Sequence, residues 1–305
     1  MTNDHEASIL TLVASAERGL SPDDLQAAES ALRNAGADDL DSPHWLCEGL
    51  AADLPFDGLS REAAHRAIDE MPALAQIDRA AQPIEGRRKR ILIADMDSTM
   101  IEIETLDTIA ALLGFGEAVA AITERSMNGE IGFEESLVER VALLEGHPAE
   151  ATLEAVMARV TYTPGAETAV KTMAEAGARC LLVSGGFTFT TDVVHRHLGF
   201  HMHRANRLEI TDGHFTGRVV GDIVGRATKL ESLHAIAQEL RCDITDALAV
   251  GDGANDLDML LAAGLGVGYR GKPIVRDQAP YLIDHTDLTS LLYFQGYRFE
   301  EFALT

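Results

Sequence analysis

The sequence predicts an α/β protein in which a doubly wound parallel sheet carries a helical cap inserted after its first strand, with a small α+β module ahead of it. Three observations lead there. Short apolar runs at residues 91–94, 179–183, 247–250 and 265–268 look like buried strands, and those at 179–183 and 247–250 pass through small turns into helical patterns. Residues 104–160 read almost wholly as helix. Residues 1–85 follow a different order of elements and contain no motif tied to chemistry.

Taken along the chain, the 1–85 module opens with a strand at 9–13. Ser21-Pro22 starts a helix that runs to about Asn34 with Gly36 as its stop, and a second helix covers 61–69. Residues 45–54 and 74–77 are weaker strand candidates, which together suggest a ferredoxin-like βαββαβ arrangement. The second unit, 86–305, begins with the continuous apolar run 91–94, the pattern of a strand covered on both faces. It runs into Asp95-Met96-Asp97, and the period of two places both aspartates on one face. About four helices follow in the cap at 104–160, with breaks near Gly114, Gly129–Gly132 and Gly146–Pro148. Asp212-Gly213 between two apolar stretches signals a hairpin. Residues 266–271 match the glycine spacing GxGxxG, yet Lys272-Pro273 stands where a helix must follow, so the segment reads as strand end and turn.

Charge and cysteine usage narrow the function classes. The 305 residues hold 25 Lys plus Arg against 49 Asp plus Glu, a net charge of −24, which repels nucleic acid and anionic membranes. The one basic run, Arg87 to Arg90, reads as a solubilising linker. Cys47, Cys180 and Cys242 are too scattered for a disulfide framework, and Cys180 reads as a small core residue. His195, His197, His201 and His203 lack a companion Cys and read as surface histidines. With no apolar stretch near 18 residues and no leader pattern, the expectation is a cytoplasmic protein without membrane or nucleic-acid partners.

The polar residues at the strand ends carry the chemistry. Asp95, Asp97, Ser184 with Gly185, and Asp252 with Asn255 and Asp256 converge if the strands are parallel neighbours, and Lys229 sits at the start of a helix pattern over 228–240. Carboxylates and carboxamides without His or Cys favour a hard, oxygen-loving cation, most simply Mg²⁺. A Ser-Gly-Gly turn at a helix start donates N–H and O–H groups to phosphate, and a lysine neutralises what remains. The combination points to phosphoryl transfer. In the cap, the helix expected over 132–145 puts Arg140 beside Phe133 on its apolar face, where an inward guanidinium needs an anionic partner.

Asp95-Met96-Asp97-Ser98-Thr99, Ser184, Lys229 and Gly251-Asp252-Gly253-Ala254-Asn255-Asp256 resemble, in order, the four motifs of the haloacid-dehalogenase (HAD) phosphatase superfamily. Residues 95–104, 127–144, 183–187 and 205–208 narrow the resemblance to its phosphoserine phosphatases, over roughly 91–290. The resemblance implies hydrolysis of O-phospho-L-serine, with Asp95 as nucleophile and Asp97 as general acid and base. It implies Mg²⁺ on the Asp95 and Asp252 carboxylates and the Asp97 carbonyl, and phosphate on Ser184, Gly185, Lys229 and Asn255. Asp256 orients Lys229 or metal-bound water, while Arg140 takes the substrate's carboxylate and Glu104 its ammonium. A related ester such as phosphohomoserine is the alternative substrate. A phospho-receiver module is the alternative class, disfavoured because it needs neither Asp97 nor a cap. The 1–85 module suits effector binding, homodimer formation or stabilisation alike.

Overall fold

The computed structural model describes residues 7–127 and 130–304; Gly129, the first residue of the break expected at 129–132, and Asn128 before it lie outside the described residues. The chain begins with β1 (Ser8–Val13), α1 (Pro22–Ala35), β2 (Asp39–Leu40), β3 (His44–Cys47), β4 (Ala51–Asp57), α2 (Arg61–Asp69) and β5 (Asp78–Pro83). Ser21 caps α1 in a capping box with Asp24, and Gly36 ends the helix in the left-handed region, as its sequence signals require. β1 lies between β4 and β5, antiparallel to both. Leu10 and Leu12 face α1 and α2, packing with Leu32, Ile68 and Leu74 in one buried cluster.

Two strand expectations in this region are corrected. Residues 45–54 form two antiparallel strands, β3 and β4, joined by a turn at 48–50. Residues 74–77 are not a strand: a 3-10 turn at Pro72–Leu74 buries Leu74 and Ile77, and the strand begins at Asp78. Apolar spacing alone does not separate a buried turn from a strand edge.

The remainder comprises β6 (Ile91–Ala94), α3 (Thr105–Leu113), α4 (Gly116–Met127), α5 (Phe133–Ala142), α6 (Ala149–Met157) and α7 (Ala166–Glu175). β7 (Arg179–Phe187), α8 (Thr188–Leu198), β8 (Met202–Thr211), β9 (His214–Val220), α9 (Arg226–Leu240) and β10 (Ala247–Gly251) follow. The chain closes with α10 (Leu257–Ala262), β11 (Leu265–Tyr269), α11 (Pro273–Gln278), β12 (Tyr281–Ile283) and α12 (Ser290–Phe294). Among the described residues twelve strands make one sheet, ordered β2-β4-β1-β5-β12-β11-β10-β6-β7-β8-β9, with β3 on β4. From β12 to β8 the strands run parallel. The winding leaves β6 in one direction through β7 and β8 and in the other through β10 and β11, so the switch point lies between β6 and β10. A crevice opens beyond the carboxyl ends of strands at such a point, and the four helices α3 to α6 are inserted directly after β6.

The first seven elements are built into this sheet. β5 joins β12 through the pair Leu282↔Arg79, and the Asp78 carboxylate accepts the Asp284, His285 and Thr286 N–H groups. Arg87 corrects the reading of the basic run as a solubilising linker. Its guanidinium grips Asp53 through two bonds of 2.8 and 2.9 Å, with side chains only 10% and 7% exposed. It also reaches the Phe294 carbonyl at 3.3 Å, tying β4 to the end of α12. Arg88 lies over the Tyr297 ring and pairs with Glu301, so the run is a docking strip rather than a loose tether. In the histidine group, His195 and His203 stack at 4.2 Å, and His201 accepts the Cys180 N–H, which fastens α8 and its following turn to β7 and β8.

Candidate active site

Asp95 follows β6 directly and its N–H continues the ladder to the Val250 carbonyl at 3.0 Å. Its Oδ1 accepts the Met96 N–H at 2.8 Å and meets Lys229 Nζ at 2.7 Å. Lys229, in the first turn of α9, is fully buried and also binds Asp256 Oδ1 at 2.6 Å. Asp256 in turn accepts the Gly253 N–H at 2.9 Å. Gly251 is required here: a Cβ on it would stand 2.3 Å from Asp256 Cγ. Asp252, at the end of β10, accepts from Thr99 Oγ1 at 3.0 Å and meets Lys272 Nζ at 3.2 Å. One oxygen each of Asp95, Asp252 and Asp256 lies within 4.8 Å of the others. Such an oxygen-only donor set suits a hard divalent cation.

The cluster differs from the set implied by resemblance. It takes in the Asp256 carboxylate, expected only in support; the Asp97 carboxylate, expected as acid and base rather than as a ligand, faces Thr105, accepting its N–H at 3.1 Å and its Oγ1 at 2.6 Å. Asp97 thereby caps α3, because β6 ends at Ala94 and the chain leaves the sheet before it. Only the Asp97 carbonyl is left for a cation. Ser184 also sits differently from expectation: β7 runs on to Phe187, so the Ser-Gly-Gly stretch extends the strand and α8 begins at Thr188. Ser184 Oγ accepts the Gly186 N–H at 2.9 Å, and Asn206 Nδ2 holds the Gly185 carbonyl at 2.8 Å.

Burial sets the electrostatics. It pushes the Asp97 carboxyl well above the ordinary carboxylate range, with Glu104 and Asp95 adding to the effect against the Thr105 bonds. Burial raises Asp252 to about 6 against the pull of Lys272, and burial with Asp95 raises Asp256 to about 7. For Lys229 burial works downward, but Asp256 and Asp95 more than reverse it and hold the ammonium above the usual lysine range. A divalent cation among these oxygens would favour their ionised forms.

Opposite stands the cap. Asp95, Asp97, Ser184, Gly185, Asp252, Asn255, Glu104 and Arg140 all line one cleft of about 550 Å³. Lys229 and Asp256 lie behind it. Arg140, on α5, has a side chain 15% exposed, with Nη1 4.0 Å from Asp107 and Nε 3.3 Å from the Ser136 carbonyl. Glu104 precedes α3 without capping it; Ser98 Oγ at 2.9 Å and Lys272 Nζ at 3.3 Å hold its carboxylate instead. Phe133 presses on the core, since a Cβ on Gly185 would stand 2.8 Å from its ring.

Sequence reasoning missed Lys272 and Phe133 as parts of the cleft, and Thr105 as the partner of Asp97. Lys272 was hidden by reading Lys272-Pro273 as an interruption, whereas Pro273 is the first residue of α11, a position that suits proline's fixed φ. The glycines before it are packing positions: a Cβ on Gly266 would stand 1.8 Å from the Leu260 carbonyl oxygen.

The haloacid dehalogenase-like hydrolase model matches residues 92–261, more than half of the chain. The chain belongs to the haloacid dehalogenase-like hydrolase family. Two relatives and one structure show how far the likeness extends. The phosphoserine phosphatase of Streptomyces coelicolor is 41% identical over 253 residues, covering 82% of this chain and 62% of that protein. The phosphoserine phosphatase of Streptococcus thermophilus is 42% identical over 204 residues, covering 67% of this chain and 94% of that protein. A HAD family hydrolase from Salmonella enterica serovar Typhi shares the fold with a TM-score of 0.82 at 28% identity, covering 95% of this chain and 98% of that one. The chain spans less than two thirds of the length of several curated relatives. Within this family member, no described helix is long and apolar enough to cross a membrane.

Proposed function

We propose that this HAD-like hydrolase is a phosphoserine phosphatase, converting O-phospho-L-serine and water to L-serine and phosphate. The observation that carries the reading is that one cleft presents a phosphoryl-transfer side, Asp95 and Asp97 with Ser184, and an amino-acid side, Glu104 and Arg140. The names of its relatives, at 41% and 42% identity, point the same way.

Asp95, fixed through Oδ1, attacks phosphorus with its other oxygen; the bond from phosphorus to the seryl oxygen breaks, leaving an aspartyl-phosphate. Asp97, raised in pKa and aimed by Thr105, delivers its proton to the departing oxygen. As a carboxylate it then takes a proton from water, whose oxygen attacks phosphorus and releases Asp95. Ser184, the Gly185 N–H and Asn255 bind the phosphoryl oxygens, and buried Lys229 holds Asp95 in place through Oδ1. Asp95 and Asp252 would hold Mg²⁺ with the Asp97 carbonyl, and Asp256 borders that position. Bound there, the ion supplies positive charge to the transferring phosphoryl group. Arg140 receives the substrate carboxylate and Glu104 the ammonium.

Phosphate release from phosphoserine, phosphothreonine, phosphohomoserine and p-nitrophenyl phosphate, with Mg²⁺ or EDTA, tests this. The expected result is Mg²⁺-dependent preference for phosphoserine that vanishes in Asp95→Asn. Release from p-nitrophenyl phosphate alone would discard the substrate, and release undiminished in Asp95→Asn would discard the nucleophile.

A further inference from the structure

Buried polar side chains normally find a hydrogen-bond partner, and a hydroxyl without one destabilises the fold. Among the described residues four buried side-chain atoms have none: Ser136 Oγ, Arg179 Nε, Thr190 Oγ1 and Tyr269 OH. Of these residues only Ser136 lines the cleft. It is 1% exposed and lies on α5, the cap helix that also carries Arg140.

Its place on that helix is specific. Phe133, Ser136, Leu137 and Arg140 all line the cleft, at the spacing i, i+3, i+4 and i+7 that marks one face. The Ser136 carbonyl accepts the Arg140 Nε at 3.3 Å, which spends that donor within the helix, while Nη1 stands 4.0 Å from Asp107, beyond hydrogen-bond distance. The hydroxyl stands one turn before the guanidinium on the same wall. A serine inside a helix commonly bonds back to the carbonyl four residues earlier; here Gly132 O accepts the backbone N–H of Ser136 at 3.0 Å, and no partner for Oγ is found there.

We propose that Ser136 is a specificity-determining residue whose hydroxyl donates to the substrate's carboxylate beside Arg140 when the cap settles on the bound substrate. This rests on the reading of the cleft as an amino-acid phosphoester site. The cap is the moving part, because Oγ is sealed from solvent in the ligand-free arrangement and a carboxylate reaches it only if α5 and the core readjust. The orphan hydroxyl is thus a cost borne by the free enzyme and relieved by the correct ligand. Ligands lacking a carboxylate leave it unsatisfied, which is how a buried polar group discriminates strongly.

The test compares Ser136→Ala with wild type on O-phospho-L-serine, on O-phosphoethanolamine, which lacks only the carboxylate, and on p-nitrophenyl phosphate, alongside ligand-free Tm. A hydrogen bond to a charged group corresponds to about tenfold or more in kcat/KM. The variant should therefore fall roughly tenfold further on phosphoserine than on the two esters, mostly through KM, while its Tm holds or rises. Equal losses on all three substrates, or an unchanged ratio, would overturn the role of Ser136 while leaving the phosphatase reading intact. A wild type with no preference for phosphoserine over phosphoethanolamine would instead overturn the substrate reading on which the inference stands, and the inference with it.

Discussion

Lys229→Met isolates the counter-charge of the carboxylate cluster. Methionine keeps the length and apolar stem of lysine, so the change removes a charge without opening a large void. Lys229 Nζ lies 2.7 Å from Asp95 and 2.6 Å from Asp256, and neither Lys229 nor Asp256 has any exposed side-chain surface. Removing one partner of a buried pair costs roughly 3–5 kcal/mol. Two acids lose the same partner here, and Asp252 crowds them within 4.8 Å, so the upper part of that range applies. At about 2 °C per kcal/mol for a protein of this size, the Tm in EDTA should fall by about 8–10 °C. A divalent cation stabilises by binding the folded form, and the more negative cluster binds it better. Added Mg²⁺ should therefore raise the variant's Tm by more degrees than it raises the wild type's. Thermal unfolding followed by circular dichroism, with EDTA and then with Mg²⁺, reads both effects. A variant within about 2 °C of wild type in EDTA would refute the assignment of Lys229 as the buried counter-charge.

Two further outcomes follow from other parts of the molecule. Arg140→Ala should lose about 2–5 kcal/mol on phosphoserine, the value of a desolvated charged pair, and much less on p-nitrophenyl phosphate; equal losses would remove Arg140 from carboxylate recognition. His65 Nε2 accepts the Ala81 N–H at 3.1 Å, and burial lowers its pKa below 6.5, with Arg79 adding to this against Asp69 and Glu62. The unfolded chain therefore takes up a proton before the folded one does, and stability is lost as the pH falls below about 6.5 towards the folded value. His65→Gln keeps an acceptor and does not titrate, so urea unfolding at pH 7.5 and 5.5 should show a smaller acid loss in the variant; a larger one would reverse the sign.

Local patterns determined much of this protein. The capping residues Ser21 and Gly36, the apolar run into Asp95, the Asp212-Gly213 hairpin and the four cap helices depend on interactions within a few residues, and each was legible in the chain. Of the eight residues named for the cleft, Asp95, Asp97, Ser184, Gly185, Asp252 and Asn255 were legible because strand-end polar groups gather at the carboxyl edge of any parallel sheet, whereas Arg140 was read from its place on a cap-helix face and Glu104 from the family resemblance. Tertiary structure decided what depends on partners remote in sequence. Arg87 reads as a surface charge until Asp53 and the Phe294 carbonyl meet it, and Lys272 reads as a turn residue until Asp252 and Glu104 do. The Asp97 carboxylate is held by Thr105, eight residues on, where a helix begins beside it. The orphan hydroxyl of Ser136 is visible only once every neighbour is in place. Periodicity reports which face a side chain occupies, but whether a buried polar atom is satisfied depends on the whole fold around it.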